Sequence, residues 1–247
     1  MTADTPPPRR SVRSFVRREG RMTPSQRAAF ESLWTRYGIT LDAGVTDLRA
    51  VFPHPAPVVL EIGFGMGDSL ASMAAADGGR NYLGIEVHRP GVGRLLARLE
   101  REQIDNVRVV NADAVEALEK HVVDASLDAV LVFFPDPWPK TRHHKRRLIQ
   151  PAFVALLAHK LRPGGVLHMA TDWQHYAEQM LDTVSRDAGF VNRAGEKQYS
   201  PRPDYRPLTK FEQRGQRLGH GIWDLLFERR ATNQFPTDPT PPPTRSD

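Results

Sequence analysis

Val58-Val59-Leu60-Glu61-Ile62-Gly63-Phe64-Gly65-Met66-Gly67 decides the fold of this chain. A nearly unbroken apolar run leads straight into a turn with glycine at every second position. An apolar strand without alternation is buried on both faces, the habit of parallel sheets covered by helices. Glycine gives the turn backbone freedom and lets it come close to a ligand. The pattern predicts a strand over Val58–Ile62, a tight turn, and a helix from Gly67 to about Ala76.

The same unit repeats outward from this point. Tyr82 to Glu86 reads as a strand, and Pro90 opens a helix carrying Val92, Leu95, Leu96 and Leu99 on one face. Val107–Val110 is a strand followed by a short helix from Asp113. Asp128 to Phe134 is a strand, and Ile149 to Leu161 a helix stopped by Arg162-Pro163-Gly164-Gly165. Val166 to Ala170 is a strand and Trp173 to Ala188 a helix. Upstream, Thr23-Pro24 caps a short amphipathic helix to about Tyr37, with proline at its first position. Residues 195 to 220 read as polar loop, and Gly221 to Glu228 as one more strand, an antiparallel edge. Strands alternating with helices predict an α/β fold whose parallel sheet is covered on both faces.

The 247 residues fit one domain with appendages. Residues 1–22 form a basic arm, either a solvated tail or an RNA-binding one. Residues 23–230 form the domain, and residues 231–247, with five prolines, a loose tail. A net charge of +5 weakly favours an anionic partner. The absence of cysteine excludes disulfides, thiolate chemistry and Cys-based zinc, and fits a cytoplasmic location. No apolar run reaches the ~18 residues of a membrane span, and no signal-peptide pattern opens the chain.

Three acids stand at successive strand ends. Glu61 lies two residues before Gly63 in a G-x-G-x-G turn formed by Gly63, Gly65 and Gly67. Dinucleotide binders carry G-x-G-x-x-G instead. A carboxylate there repels a pyrophosphate but accepts from an ammonium group, which points to S-adenosylmethionine and away from NAD. Glu86 ends the second strand, placed to take both ribose hydroxyls. Asp113 follows the third strand, placed to accept from the adenine amino group. Each acid alone could be a helix cap or a surface residue; together they point to the cofactor.

Phe133-Phe134-Pro135-Asp136-Pro137-Trp138 closes the fourth strand. Asp136 is held between two prolines, where ligands bind in α/β sheets. Five cations and no acids follow over Lys140–Arg147, a run suited to phosphates or simply solvated. Trp138 is placed to stack on a base or to pack in the core. His143 and His144 are adjacent and point apart, so no metal is expected.

These words carry a strong resemblance. Leu60–Gly67 (LEIGFGMG), Gly84–His88 (GIEVH), Phe133–Trp138 (FFPDPW), Lys145–Arg147 (KRR), His168–Trp173 (HMATDW) and Thr209–Gly221 (TKFEQRGQRLGHG) resemble, in order, those of the bacterial tRNA (guanine-N7-)-methyltransferases. The resemblance spans roughly residues 55 to 230. It implies a Rossmann-like class I methyltransferase fold with a seven-stranded, mostly parallel sheet. It implies that Glu61, Glu86, Asp113 and Asp136 contact S-adenosylmethionine and that Asp136 is catalytic. Lys140, Asp172 and Thr209, Lys210, Phe211 and Glu212 match substrate-binding positions. Arg142, His143, His144, Lys145, Arg146 and Arg147 match the RNA-contacting segment. The implied reaction is methylation of a guanine in the tRNA variable loop. A monomer is expected, with a dimer as the alternative. Rival readings are a methyltransferase of exocyclic amino groups in RNA or DNA, and an RNA-binding module that has lost catalysis.

Overall fold

The stretch from Val58 folds as its apolar character requires. In the computed structural model, which describes residues 20–41, 47, 49–208, 212 and 221–231, β1 (Val58–Ile62) is buried along its whole length. The chain continues through α2 (Asp68–Ala76), β2 (Asn81–Ile85), α3 (Arg89–Glu102), β3 (Val107–Val110), α4 (Ala114–His121) and β4 (Leu127–Phe133). Then come α5 (Pro151–Lys160), β5 (Leu161–Thr171), α6 (Gln174–Ser185), β6 (Phe190–Asn192) and β7 (Trp223–Arg229). Upstream, α1 (Pro24–Tyr37) begins at a capping box. Thr23 Oγ1 accepts from the Gln26 amide at 3.3 Å, and Gln26 Oε1 accepts from the Thr23 amide at 2.9 Å.

The seven strands form one sheet in the order β3-β2-β1-β4-β5-β7-β6. Pairings from β3 through β5 are parallel, and β7 is antiparallel to both β5 and β6. The chain runs outward from β1 to β3, then returns to place β4 on the other side of β1. That reversal opens a crevice at the carboxyl ends of β1 and β4, where open α/β sheets bind ligands.

Alternate residues of each strand serve two cores. Leu60, Ile62, Val130 and Val132 pack with Leu118, Phe153 and Met180 of α4, α5 and α6. Val59 and Leu131 pack with Tyr37, Leu70 and Leu95 of α1, α2 and α3. Val92, Leu95, Leu96 and Leu99 are all fully buried, as the spacing on α3 predicts.

Four features differ from the sequence reading. Leu161 already pairs with Leu127, so β5 begins before Arg162-Pro163-Gly164-Gly165, and a register shift absorbs that segment. The three residues of β6 carry too short a pattern to be read. Their pairing makes β7 interior, not an edge. Thr141–Arg146, to which the sequence reading gave no element, is a 3-10 helix. The 1–22 arm and the 231–247 tail lie almost wholly outside the described residues.

Candidate active site

The glycine turn after β1 is open where a ligand would lie. Gly63 and Gly65 have φ of 73° and 58°, and a Cβ added at either would meet nothing within 4 Å. Gly67, at φ 76°, starts α2 against α3, and a Cβ there would strike Leu95 at 2.7 Å. The first two glycines thus leave room beside the backbone, and the third lets two helices meet.

Glu86 braces this turn. Its Oε2 accepts from the Gly65 amide at 2.8 Å, and its Oε1 from the Val87 and His88 amides at 2.7 and 2.8 Å. A carboxylate offers roughly four acceptor sites. Three backbone amides, those of Gly65, Val87 and His88, thus share the carboxylate with any ribose hydroxyl that reaches it. Asp113 caps α4 by accepting from the Glu116 amide at 2.9 Å while also lining the cavity. Capping and cavity lining coexist.

Glu61 is 2% exposed, and its Oε2 has no hydrogen-bond partner among the described residues. Burial pushes its carboxyl up to about 8; Ser69 opposes this and the Glu86 charge adds to it. A buried acceptor without a donor beneath an open glycine turn fits a cationic ligand group. The S-adenosylmethionine ammonium matches that donor set.

Gly63, Glu86, Asp113, Phe133, Phe134 and Asp136 surround one cavity of about 280 Å³ at the β1–β4 crevice. Asp136 is exposed at its mouth. The turn presenting it holds left-handed backbone at two residues other than glycine, Phe134 at φ 51° and Trp138 at φ 43°. Such residues cost roughly 1–2 kcal/mol each, so the surroundings must impose the shape. The Phe134 amide donates to Ala170 O at 2.8 Å. Arg147 Nε donates to Pro137 O at 2.8 Å.

Arg147 is a second correction. It is 1% exposed, its NH1 lies 3.1 Å from His175 Nδ1 and donates to Gln179 Oε1, and its guanidinium stacks on Tyr176. A side chain so enclosed does not reach a phosphate; it ties the Asp136 turn to α6. Of the remaining run, Lys140, Arg142 and Lys145 are exposed. Arg146 lies over the Trp138 ring at 5.1 Å, and His143 meets its edge at 5.9 Å. Trp138 therefore packs within this clamp. His144 rests on His175. Among the described residues no group of His, Asp and Glu is placed to hold a metal.

Asp172 follows β5 and is exposed. It lines a separate hollow of about 460 Å³ with Trp173, Glu178 and Trp223. It does not cap α6, whose N-cap is Trp173 without a side-chain bond. Thr209, Lys210 and Phe211 lie outside the described residues. Glu212 is 2% exposed and paired with Arg206, so its carboxylate is not free to bind substrate as the resemblance implies. The sequence reading missed Arg206, His168 and Asp224, all buried. The available signal was a histidine and an aspartate inside apolar strands, since buried polar groups need partners.

Residues 55–225 match the family described as "Putative methyltransferase". The tRNA (guanine-N(7)-)-methyltransferase of Alcanivorax borkumensis is 58% identical, over 90% of this chain and 93% of that protein. Its namesake in Hydrogenovibrio crunogenus is 53% identical, over 93% and 95%. Among solved structures, the antibiotic-resistance methyltransferase Kmr superposes with a TM-score of 0.53 at 19% identity, over 79% of this chain and 96% of that one. The 16S rRNA methyltransferase KamB gives 0.51 at 15% identity, over 85% and 95%. These two share the fold.

Proposed function

The chain belongs to the tRNA (guanine-N(7)-)-methyltransferase family, and from that premise we propose how its site performs the reaction. The protein transfers a methyl group from S-adenosylmethionine to N7 of a tRNA guanine. The guanine lies in the variable loop, the target that the family resemblance implies. One observation carries the assignment of the site. Gly63, Glu86, Asp113 and Asp136 line a single crevice at the β1–β4 reversal, and Glu61, buried in β1 beside it, leaves its Oε2 without a donor.

Bound S-adenosylmethionine supplies a methyl group on a sulfonium. Glu61 would hold its ammonium, Glu86 its ribose hydroxyls and Asp113 its adenine amino group. The guanine N7 already carries a lone pair, so its attack needs no general base. As the new N–C bond forms and the S–C bond breaks, positive charge appears on the purine ring. Asp136 stands fixed at the cavity mouth, where its carboxylate stabilises that charge and accepts from the guanine N1 or amino group, fixing the ring's direction. Lys140, Arg142 and Lys145 meet phosphates, which position the RNA without reading its sequence. Asp172 holds the substrate from the β5 side.

The test is incubation with labelled S-adenosylmethionine and unmodified tRNA, followed by nucleoside mass spectrometry. The expected product is 7-methylguanosine. A methyl group on an exocyclic nitrogen would place the protein with the amino methyltransferases, and tRNA binding with no S-adenosylmethionine binding by calorimetry would make it an RNA-binding module that has lost catalysis.

A further inference from the structure

Arg206 is 1% exposed and holds two carboxylates at once. Its Nε and NH2 donate to Asp224 Oδ1 and Oδ2 at 2.7 and 2.8 Å. Its NH2 also donates to Glu212 Oε1 at 2.7 Å, and its NH1 lies 2.7 Å from Glu212 Oε2. Asp224 is in turn braced by His168, whose Nε2 lies 2.8 Å from Oδ1 while its Nδ1 lies 2.8 Å from the Tyr205 hydroxyl. One neutral tautomer satisfies both contacts: Nε2–H donates to Asp224, and Nδ1 accepts from Tyr205.

The same guanidinium lies over Phe133 and Phe134, 5.8 and 5.7 Å from their ring centres. Those two residues line the cofactor cavity, and Phe134 has the left-handed backbone that leads into Asp136. Glu212 closes the run Thr209–Glu212. Arg206 thus touches the end of β4 with its face and Glu212 with its edge.

A buried ion cluster is a poor stability device, since well-packed apolar residues usually do as well. A planar fork between two carboxylates does something else: it fixes distance and direction. We propose that Arg206 is a positioning residue for methyl transfer, holding Glu212 at a fixed place relative to the end of β4 that leads into Asp136, through the link Glu212–Arg206–Phe134. The inference rests on the function proposed above, and it gives Glu212 a positioning role of its own.

The test is a double-mutant cycle of Arg206→Lys and Glu212→Gln on the full chain. Activity is measured at a temperature where circular dichroism shows each variant folded, and cofactor affinity is measured separately by calorimetry. Arg206→Lys keeps the charge but loses the fork. The expected result is a fall in kcat approaching 100-fold, the scale of a misplacement of about an ångström, with S-adenosylmethionine affinity changed less than about threefold. The two losses should not add, because both act through one contact. Additive losses, or an Arg206→Lys kcat within about twofold of wild type, would overturn the proposal. If Arg206→Lys does not fold, Glu212→Gln decides the matter, because it leaves the Arg206–Asp224 pair standing. A lowered kcat and melting temperature with an unchanged KM for tRNA supports positioning. A raised KM with an unchanged melting temperature means that Glu212 meets the substrate itself. Wild-type protein that forms no 7-methylguanosine defeats the functional reading, a result visible before any variant is made.

Discussion

Glu61 carries a carboxyl into a site where one of its oxygens has no donor, and the pH dependence of the fold should show it. Its folded value is raised to about 8, so between the ordinary carboxylate range and that value the folded state binds a proton that the unfolded state lacks. Stability from this group is fully present at low pH and is lost as pH rises through about 8. Glu61→Gln removes the titration. The variant should melt higher than wild type at pH 8.5 and about equally at pH 5, while binding S-adenosylmethionine more weakly. Equal melting differences at both pH values would mean that Glu61 does not titrate in this range. Asp136 poses a different case, an exposed carboxylate at the mouth of the cavity. Asp136→Asn should leave the melting temperature unchanged and lower kcat by at least ~100-fold, the scale for one electrostatic stabiliser. Near-normal turnover would remove Asp136 from the chemistry. Residues of this kind were legible in the sequence because an acid at the end of an apolar strand has a known address. Arg206 was not, since an arginine in a polar stretch shows its burial only when Asp224 and Glu212 are brought to it from elsewhere in the chain.

The turn after β4 and the 3-10 helix behind it divide the cations of Lys140–Arg147 into two jobs. The exposed members face solvent, and Arg147 is enclosed by Pro137, Tyr176, His175 and Gln179. Arg147→Ala should therefore act on the fold. Breaking a buried charge out of its hydrogen bonds costs about 3–5 kcal/mol, here partly as release of the left-handed Phe134–Trp138 turn. The expected result is a clear drop in melting temperature and lower kcat, with the salt dependence of tRNA binding unchanged. A flattened salt slope with normal melting would return Arg147 to the RNA surface. A contiguous basic run looks uniform in sequence; the 3-10 helix ends at Arg146, and the contacts of the next residue, Arg147, with Pro137, His175 and Gln179 separate these roles. The parallel strands, by contrast, were legible almost to the residue, because burial on both faces leaves an apolar word that few other elements produce. β6 is three residues long and owes its place to β7, so no local pattern announces it.

Across the whole molecule the sheet reversal sets the crevice and the basic 3-10 helix on the same end of the strands, and the proposed delivery of an RNA base to Asp136 would bring its backbone over Lys140, Arg142 and Lys145. The sequence's net charge of +5 says little by itself; the placement of the exposed cations gives it consequence. Each phosphate neutralised by one of them releases condensed counterions, and affinity falls linearly on logarithmic axes as salt rises. Replacing Lys140, Arg142 and Lys145 together by alanine should weaken tRNA binding and flatten that slope by up to ~2–3 units. The S-adenosylmethionine affinity should stay as it was, because none of the three lines the cofactor cavity. The methylated position should also stay the same, because phosphate contacts set the register of the RNA and carry no base information. The measurement is a salt titration of tRNA binding for wild type and the triple variant, with nucleoside analysis of the products. Superimposable titrations would move the electrostatic contact off this helix, and the six arginines before residue 22 would then be the cations to replace next.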